Sequence, residues 1–221
     1  MKRERIPSYY PVFLNITDKR CVVFGGGQVA QRKVGVLLEH GAEVEVISPV
    51  LCPELTRMAE SREIKATCRE YREGDLRGAF VVIAATDDSE ANLKVAGEAR
   101  RNAVLVNVVD DAANSDFILP SLVRRGDITI AISTAGKSPA LARKIRTRLE
   151  KVFGDEYASL ALLIDEVRTE VKRQGIKVDG DAWQDAIDLD LLLELVRKGD
   201  SEKAGSILFN NLKGLQKQLS R

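Results

Sequence analysis

The segment Gly25-Gly26-Gly27-Gln28-Val29-Ala30 follows the apolar run Cys21-Val22-Val23-Phe24 and opens a helical pattern, so it fits G-x-G-x-x-G/A in the context that gives the motif meaning. Gly25 permits a tight turn, Gly27 lets backbone approach a pyrophosphate, and the small Ala30 lets helix pack on strand. Free N–H groups and the positive end of a helix then face the anion. The chemistry is dinucleotide binding, and the alternative is a glycine turn without a ligand. About 20 residues on, where the fingerprint carries an acid for the adenosine ribose, stand Ser48-Pro49. A hydroxyl there still bonds a ribose oxygen, and no arginine follows to favour a 2′-phosphate, so NAD is expected over NADP.

Two further groups carry polar chemistry. Thr86-Asp87-Asp88 ends one Val/Ile-rich run, and Asn107 and Asp110 end the next. A carboxylate at such a strand end, beside a nicotinamide, suits a group that takes a proton while hydride leaves a substrate. The competing role for Asp110 is a cap in the loop 110 to 116. Ser133-Thr134-Ala135-Gly136-Lys137-Ser138-Pro139 precedes a segment with Arg143, Lys144, Arg146, Arg148 and Lys151 against one acid, Glu150. Hydroxyls, cations and a helix N-terminus together suit a phosphate or a polycarboxylate. The alternative is a solvated amphipathic helix whose inner face is Leu141, Ile145, Leu149 and Val152.

The elements that must position these groups alternate. Arg20 to Phe24, Val44 to Ile47, Phe80 to Ala85 and Val104 to Val109 read as buried parallel strands, with Ile64 to Cys68 as a further candidate. Val29 to His40 and Glu90 to Arg101 read as the helices between them, giving a Rossmann-like α/β sheet. From Phe117 the pattern changes to a small α+β segment: Ser121 to Arg125, a Gly126-Asp127 turn and Ile128 to Ile132. Ser138 as N-cap and Pro139 at the first helical position then start a helix that runs to about Phe153. Helical spacing recurs at Leu160, Leu163, Ile164, Val167 and Val171, at Leu189, Leu192, Leu193 and Val196, and at Leu208, Leu212, Leu215 and Leu219. The expected organisation is a nucleotide domain over 1–111, a middle segment over 112–153 and a helical domain over 154–221.

Composition narrows the function classes. Lys+Arg 34 against Asp+Glu 33 gives a net charge of +1, so no global field draws the chain to nucleic acid or a membrane surface. With 44% hydrophobic and 30% charged residues, the chain is an ordinary globular one. The charged start Met1 to Tyr10 does not read as a secretory signal, no apolar run approaches the ~20 residues of a spanning helix, and a cytoplasmic location is expected. Cys21, Cys52 and Cys68 form no Cys-x-x-Cys pair, so no metal site is expected. The sole histidine, His40, stands at a helix end before Gly41, which suits a cap.

Tyr10 to Leu14, Val23 to Lys33, Ala84 to Asp87, Asn107 to Asp110, Phe117 to Ser121 and Ser138 to Arg143 together resemble the precorrin-2 dehydrogenase family, the N-terminal half of siroheme synthase. The resemblance covers residues about 9 to 150. It implies NAD-dependent oxidation of precorrin-2 to sirohydrochlorin, in a homodimer whose contact is made by about 112 to 150; some members also insert Fe²⁺. It ties catalysis to Asp110 and points to Gln28, Val29, Ser48, Pro49 and Val50 for NAD, with Thr86 and Asp87 on the same edge. The eight carboxylates of precorrin-2 would find Arg124, Arg125, Lys137 and Arg143, with Asn107 and Ser138 as further candidates. Where some members have Ser-Ser-Gly-Gly, this chain has Ser133-Thr134-Ala135-Gly136, so a role tied to a serine there would fall to Thr134. No methyltransferase half is expected for this chain, and precorrin-2 is expected from another protein. A non-catalytic NAD-sensing module is the alternative function, and an oxidoreductase of small hydroxy acids is disfavoured because it wants a histidine base.

Overall fold

The computed structural model describes the backbone from Tyr9 to Leu219 and side chains as far as Gln216; the charged start at 1–8 and the last leucine of the final repeat, Leu219, lie outside the described residues or side chains. The chain divides into two compact units between Leu119 and Pro120.

The first unit is built on five parallel strands, β1 (Arg20–Phe24), β2 (Glu43–Ile47), β3 (Lys65–Thr67), β4 (Val81–Ala84) and β5 (Leu105–Val108). Their order is β3-β2-β1-β4-β5, with the reversal between β1 and β4 that marks a doubly wound sheet. Successive residues of a strand face opposite sides, so Val22 and Phe24 enter one core while Cys21 and Val23 enter the other. Helix α3 (Ser89–Arg101) covers the first face through Val95, Ala96 and Ala99. Helices α1 (Gln28–Glu39) and α2 (Pro53–Glu60) cover the second through Ala30, Val34, Leu37 and Leu55. Burial on both faces explains why the strands read as continuous apolar runs rather than alternating ones.

Strand register sets the site. Phe24 pairs with Ile47 on one side and Ala84 on the other, and Ala84 pairs with Val108. The strand ends therefore lie in one row, and Gly25, Ser48, Ala85 and Val109 leave the sheet side by side. His40 caps α1, its Nδ1 lying 2.8 Å from the Val36 carbonyl, and Gly41 follows at φ +75°. The free edge of β5 is sealed by the loop after it, since Val106 N–H donates to the Asp116 carboxylate (3.1 Å) and Val108 N–H to the Ser115 hydroxyl (2.9 Å).

In the second unit β6 (Ser121–Arg125) and β7 (Ile128–Ile132) pair antiparallel around Gly126, at φ +56°. Ser138 caps α4 (Pro139–Val152) by accepting from Leu141 N–H at 3.2 Å. Helices α5 (Glu156–Arg173), α6 (Gly180–Ala186), α7 (Leu189–Arg197) and α8 (Ser201–Leu219) enclose a separate core of Leu160, Leu163, Val167, Val171, Leu192, Leu193, Leu208 and Leu212. The expected inner face of α4 is not buried. Leu141 is 52% exposed and Val152 56%, and only Ala142 is fully covered. Helical periodicity identified the stripe correctly but not what lies against it: the helix meets β6 and β7 through the Ala142 side.

Candidate active site at the carboxyl edge of the sheet

The glycine loop is shaped by three different constraints. Gly25 has φ +115°, and a Cβ there would stand 2.3 Å from the Ala85 carbonyl oxygen, so only glycine passes between β1 and β4. A Cβ on Gly26 would reach within 1.8 Å of the Val50 oxygen and 2.8 Å of Ser48 Oγ. The loop after β2 therefore presses directly on Gly26, and Cys52 N–H donates to the Gly26 carbonyl at 2.7 Å. Gly27 is different: nothing lies within 4 Å of its Cβ position. It is the N-cap of α1, no side chain caps that end, and the first turn holds no acid. The N–H groups of Gln28 and Val29 thus start a helix with neither side-chain acceptor nor counter-charge, over open space, which is what an incoming pyrophosphate requires.

Around this opening the structure gathers the residues expected after β2 and β4. Ser48 is buried, and its hydroxyl donates to the Val50 carbonyl at 2.8 Å, so the residue in the usual place of the acid holds its own loop while keeping a free lone pair. Pro49 is exposed and Val50 is 76% exposed, giving the loop an apolar outer surface. Thr86 is pinned by the buried Asn92: its N–H (3.3 Å) and hydroxyl (2.8 Å) both donate to Asn92 Oδ1, and Asn92 Nδ2 donates to its carbonyl at 2.9 Å. Asp87 is exposed between Thr86 and the α3 cap Asp88, whose carboxylate accepts from Glu90 N–H at 2.9 Å.

After β5, two adjacent aspartates divide the roles considered for this segment. Asp111 is the loop cap: it accepts from Asn114 N–H at 3.1 Å and from the Asn114 amide at 2.7 Å. The Asn114 side chain, helped by backbone N–H groups and Arg100, holds the Asp111 carboxyl below its ordinary range. Asp110 is exposed, stands at φ +60°, and its carboxylate accepts no hydrogen bond from the described residues. Asn107, by contrast, is buried and donates to the Phe117 carbonyl at 2.9 Å, which ties the end of the loop to β5. Lys33 on α1 is half-buried; burial pushes its ammonium below the ordinary lysine range, Arg32 adds to this, and Asp110 opposes it.

The second unit places its candidates within itself. Arg125 is committed, donating to the Glu150 carbonyl at 3.2 Å and facing Asp155 at 3.4 Å. Thr134 Oγ1 accepts from Ser138 N–H at 3.0 Å, and Ser138 caps α4. Ala135 and Gly136 between them have φ +50° and +79°. Arg124 donates only to the nearby Gly126 carbonyl, and Lys137 and Arg143 are exposed with no ion pair among the described residues. Sequence reasoning gave no separate role to Gly26, Asn92 or Asn114. A signal existed for the first, three glycines in succession, and for Asn114, an Asp-x-x-Asn loop spacing.

No three His, Cys, Asp or Glu gather as a metal site among the described residues, and no described helix is long and apolar enough to cross a membrane.

Comparison with known proteins gives a consistent picture. The family described as putative NAD(P)-binding matches residues 12–121, and that described as sirohaem biosynthesis protein central matches 125–151. The chain is 39% identical over 208 residues to siroheme synthase of Nitrosococcus oceani, covering 93% of this chain and 44% of that protein. It is 38% identical over 198 residues to siroheme synthase of Chromobacterium violaceum, covering 89% and 42%. The chain thus spans less than half the length of these relatives. Among solved structures, SirC, a precorrin-2 dehydrogenase, superposes with a TM-score of 0.70 at 23% identity, over 93% of this chain and 100% of that one.

Proposed function

We propose that the chain, which matches a putative NAD(P)-binding family over 12–121 and the sirohaem biosynthesis protein central family over 125–151 and is similar to siroheme synthases along most of its length, oxidises precorrin-2 to sirohydrochlorin with NAD. One observation carries the reading. The aligned strand ends put an uncapped helix start over open space and the unbonded carboxylate of Asp110 on the same sheet edge. A nucleotide sensor accounts for the first and leaves the second without a use.

When bound, NAD supplies the hydride acceptor. The N–H groups of Gln28 and Val29 hold the pyrophosphate, with Gly25 and Gly27 giving the turn and the close approach. Ser48, Pro49 and Val50 would hold the adenosine ribose, where the loop carries no basic residue and so suits a 2′-hydroxyl; Thr86 and Asp87, on the same sheet edge, are further candidates to hold NAD. Oxidation removes two hydrogens from the substrate, one as hydride and one as proton. Asp110 takes or orients the proton, and being free of other hydrogen bonds it has the lone pairs to do so. On the second unit, taken by itself, Arg124, Lys137 and Arg143 are exposed and make no ion pair among the described residues, which suits them to anionic groups such as carboxylates. Asn107, Arg125, Thr134 and Ser138 act by holding the loops that carry those groups.

The middle segment, about 112 to 153, forms the contact of a homodimer. The exposed stripe of Leu141, Ile145 and Val152 supports this, since a second copy would remove it from water. The test of the activity is anaerobic incubation of the chain with precorrin-2 and NAD. Sirohydrochlorin should accumulate; a chain that binds NAD and leaves precorrin-2 intact is a sensor instead. Insertion of Fe²⁺, as a substrate, is decided separately by incubation with sirohydrochlorin and ferrous iron against the spontaneous rate.

A further inference from the structure

We infer that Asn92 on α3 is a positioning residue for the dinucleotide: it fixes the backbone after β4 against which Gly25 turns. The inference rests on the cofactor being held at this sheet edge and not on the oxidation proposed for it.

Asn92 stands where packing alone asks for an apolar side chain. With Val95, Ala96 and Ala99 it has the spacing of one helix face, the buried one, and it is 7% exposed. Asparagine is a poor helix former, and a buried amide is costly unless its donors and acceptor are met. Here one residue, Thr86, meets them. Oδ1 accepts from the Thr86 N–H at 3.3 Å and from its hydroxyl at 2.8 Å, and Nδ2 donates to the Thr86 carbonyl at 2.9 Å. Only this orientation of the amide puts a donor opposite the carbonyl and an acceptor opposite the N–H. The Thr86 hydroxyl in turn accepts from Asp88 N–H at 3.2 Å, so the turn from β4 into α3 is also tied within itself.

The peptide that Asn92 holds is the one that shapes the glycine loop. The bond from Thr86 N–H fixes the plane of the Ala85–Thr86 peptide, whose oxygen lies 2.3 Å and whose nitrogen 3.3 Å from where a Gly25 Cβ would stand. Gly25 is held from its other side by its own N–H, which donates to the Ile47 carbonyl at 3.1 Å. Turning the Ala85–Thr86 peptide would therefore move the tight turn at Gly25, φ +115°, and with it the N–H groups that start α1. A planar amide carries acceptor and donor side by side and so suits both peptide groups of Thr86. A carboxylate lacks the donor, and an apolar side chain lacks both. Asn92 acts through Thr86 and Gly25.

In the full chain, Asn92→Leu keeps the size of the side chain and suits the apolar face, so it should remain folded. Its NAD affinity, read by calorimetric titration, should fall roughly tenfold, while the rate at saturating NAD stays within about twofold of wild type. Asn92→Ser, too short to span both peptide groups, should lose affinity alike and guards against misfolding of the first variant. Without any cofactor, Thr86 N–H should exchange with solvent faster in both variants than in wild type, with the amides in the middle of β1 and β4 unchanged. A folded variant that binds NAD as wild type does, or that keeps Thr86 N–H protected, overturns the inference, because Asn92 then serves only the packing of α3. A rate lost at unchanged NAD affinity overturns it too. If wild type binds no NAD, the cofactor site fails and the inference with it. If wild type binds NAD and leaves precorrin-2 intact, only the oxidation fails, and the affinities and exchange still decide the role of Asn92.

Discussion

Asn114 grips Asp111 with both its backbone N–H, at 3.1 Å, and its side-chain amide, at 2.7 Å, and so leaves the preceding Asp110 as the carboxylate not used by the loop. The cap considered for Asp110 exists one residue later.

Asp111→Ala should destabilise the first unit by about 1 kcal/mol, the usual cost of losing a capping carboxylate. The Asp111 carboxyl is held low in the fold, so its contribution is present above about pH 4, its unfolded range, and is lost as pH falls through the lower folded value. Denaturant titrations of wild type and Asp111→Asn should therefore differ at pH 7 and converge as pH falls below the ordinary aspartate range. A gap that persists in acid would mean that the carboxylate charge is not what the loop uses.

Gly26 and Gly27 should respond in opposite ways to the same change. Gly26→Ala places a methyl 1.8 Å from the Val50 oxygen, so the loop after β2 must move and stability should fall by several kcal/mol. Gly27→Ala meets nothing in the protein, so folding should stay within about 1 kcal/mol of wild type. Its NAD affinity should nevertheless fall tenfold or more, read by calorimetric titration.

Ala135 holds a left-handed backbone, φ +50°, a conformation that favours glycine. A left-handed non-glycine residue costs about 1–2 kcal/mol, partly offset by the greater freedom of glycine in the unfolded chain. Ala135→Gly should raise stability by about 0.5 kcal/mol or more in denaturant melts, without touching the core.

For the proposed homodimer, Leu141→Glu combined with Ile145→Glu should give monomers in sedimentation equilibrium, because both residues are exposed in the single chain and would lie in the proposed contact. Unit cores lie elsewhere, at Leu160 to Leu212, so the monomer should remain folded.

The first strand, glycine loop and helix were legible almost to the residue, since the apolar run, the glycines and Ala30 each answer a local demand. So were the hairpin around Gly126 and the start of α4 at Ser138-Pro139. Helix α2 was not read, although Pro53 and Glu54 stand at its start; it is only 8 residues long and its N-cap, Cys52, makes no side-chain cap. Other roles were invisible because the partner is distant in sequence. Asn107 reads as a strand-end ligand group until Phe117 folds back to accept from it, and Arg125 reads as a free cation until Glu150 and Asp155 arrive. Ser48 looked toward a ribose but first satisfies Val50, two residues on.

The most direct measurement compares wild type with Asp110→Asn under saturating NAD, following NADH and precorrin-2 together. Asparagine tolerates the left-handed backbone, so the variant removes the charge and keeps the fold. Wild type should form one NADH for each precorrin-2 consumed, and the variant should bind NAD as tightly while turning over about a hundredfold or more slowly. Equal rates in the two proteins would contradict the role given to Asp110, and NAD binding without any loss of precorrin-2 would contradict the activity itself.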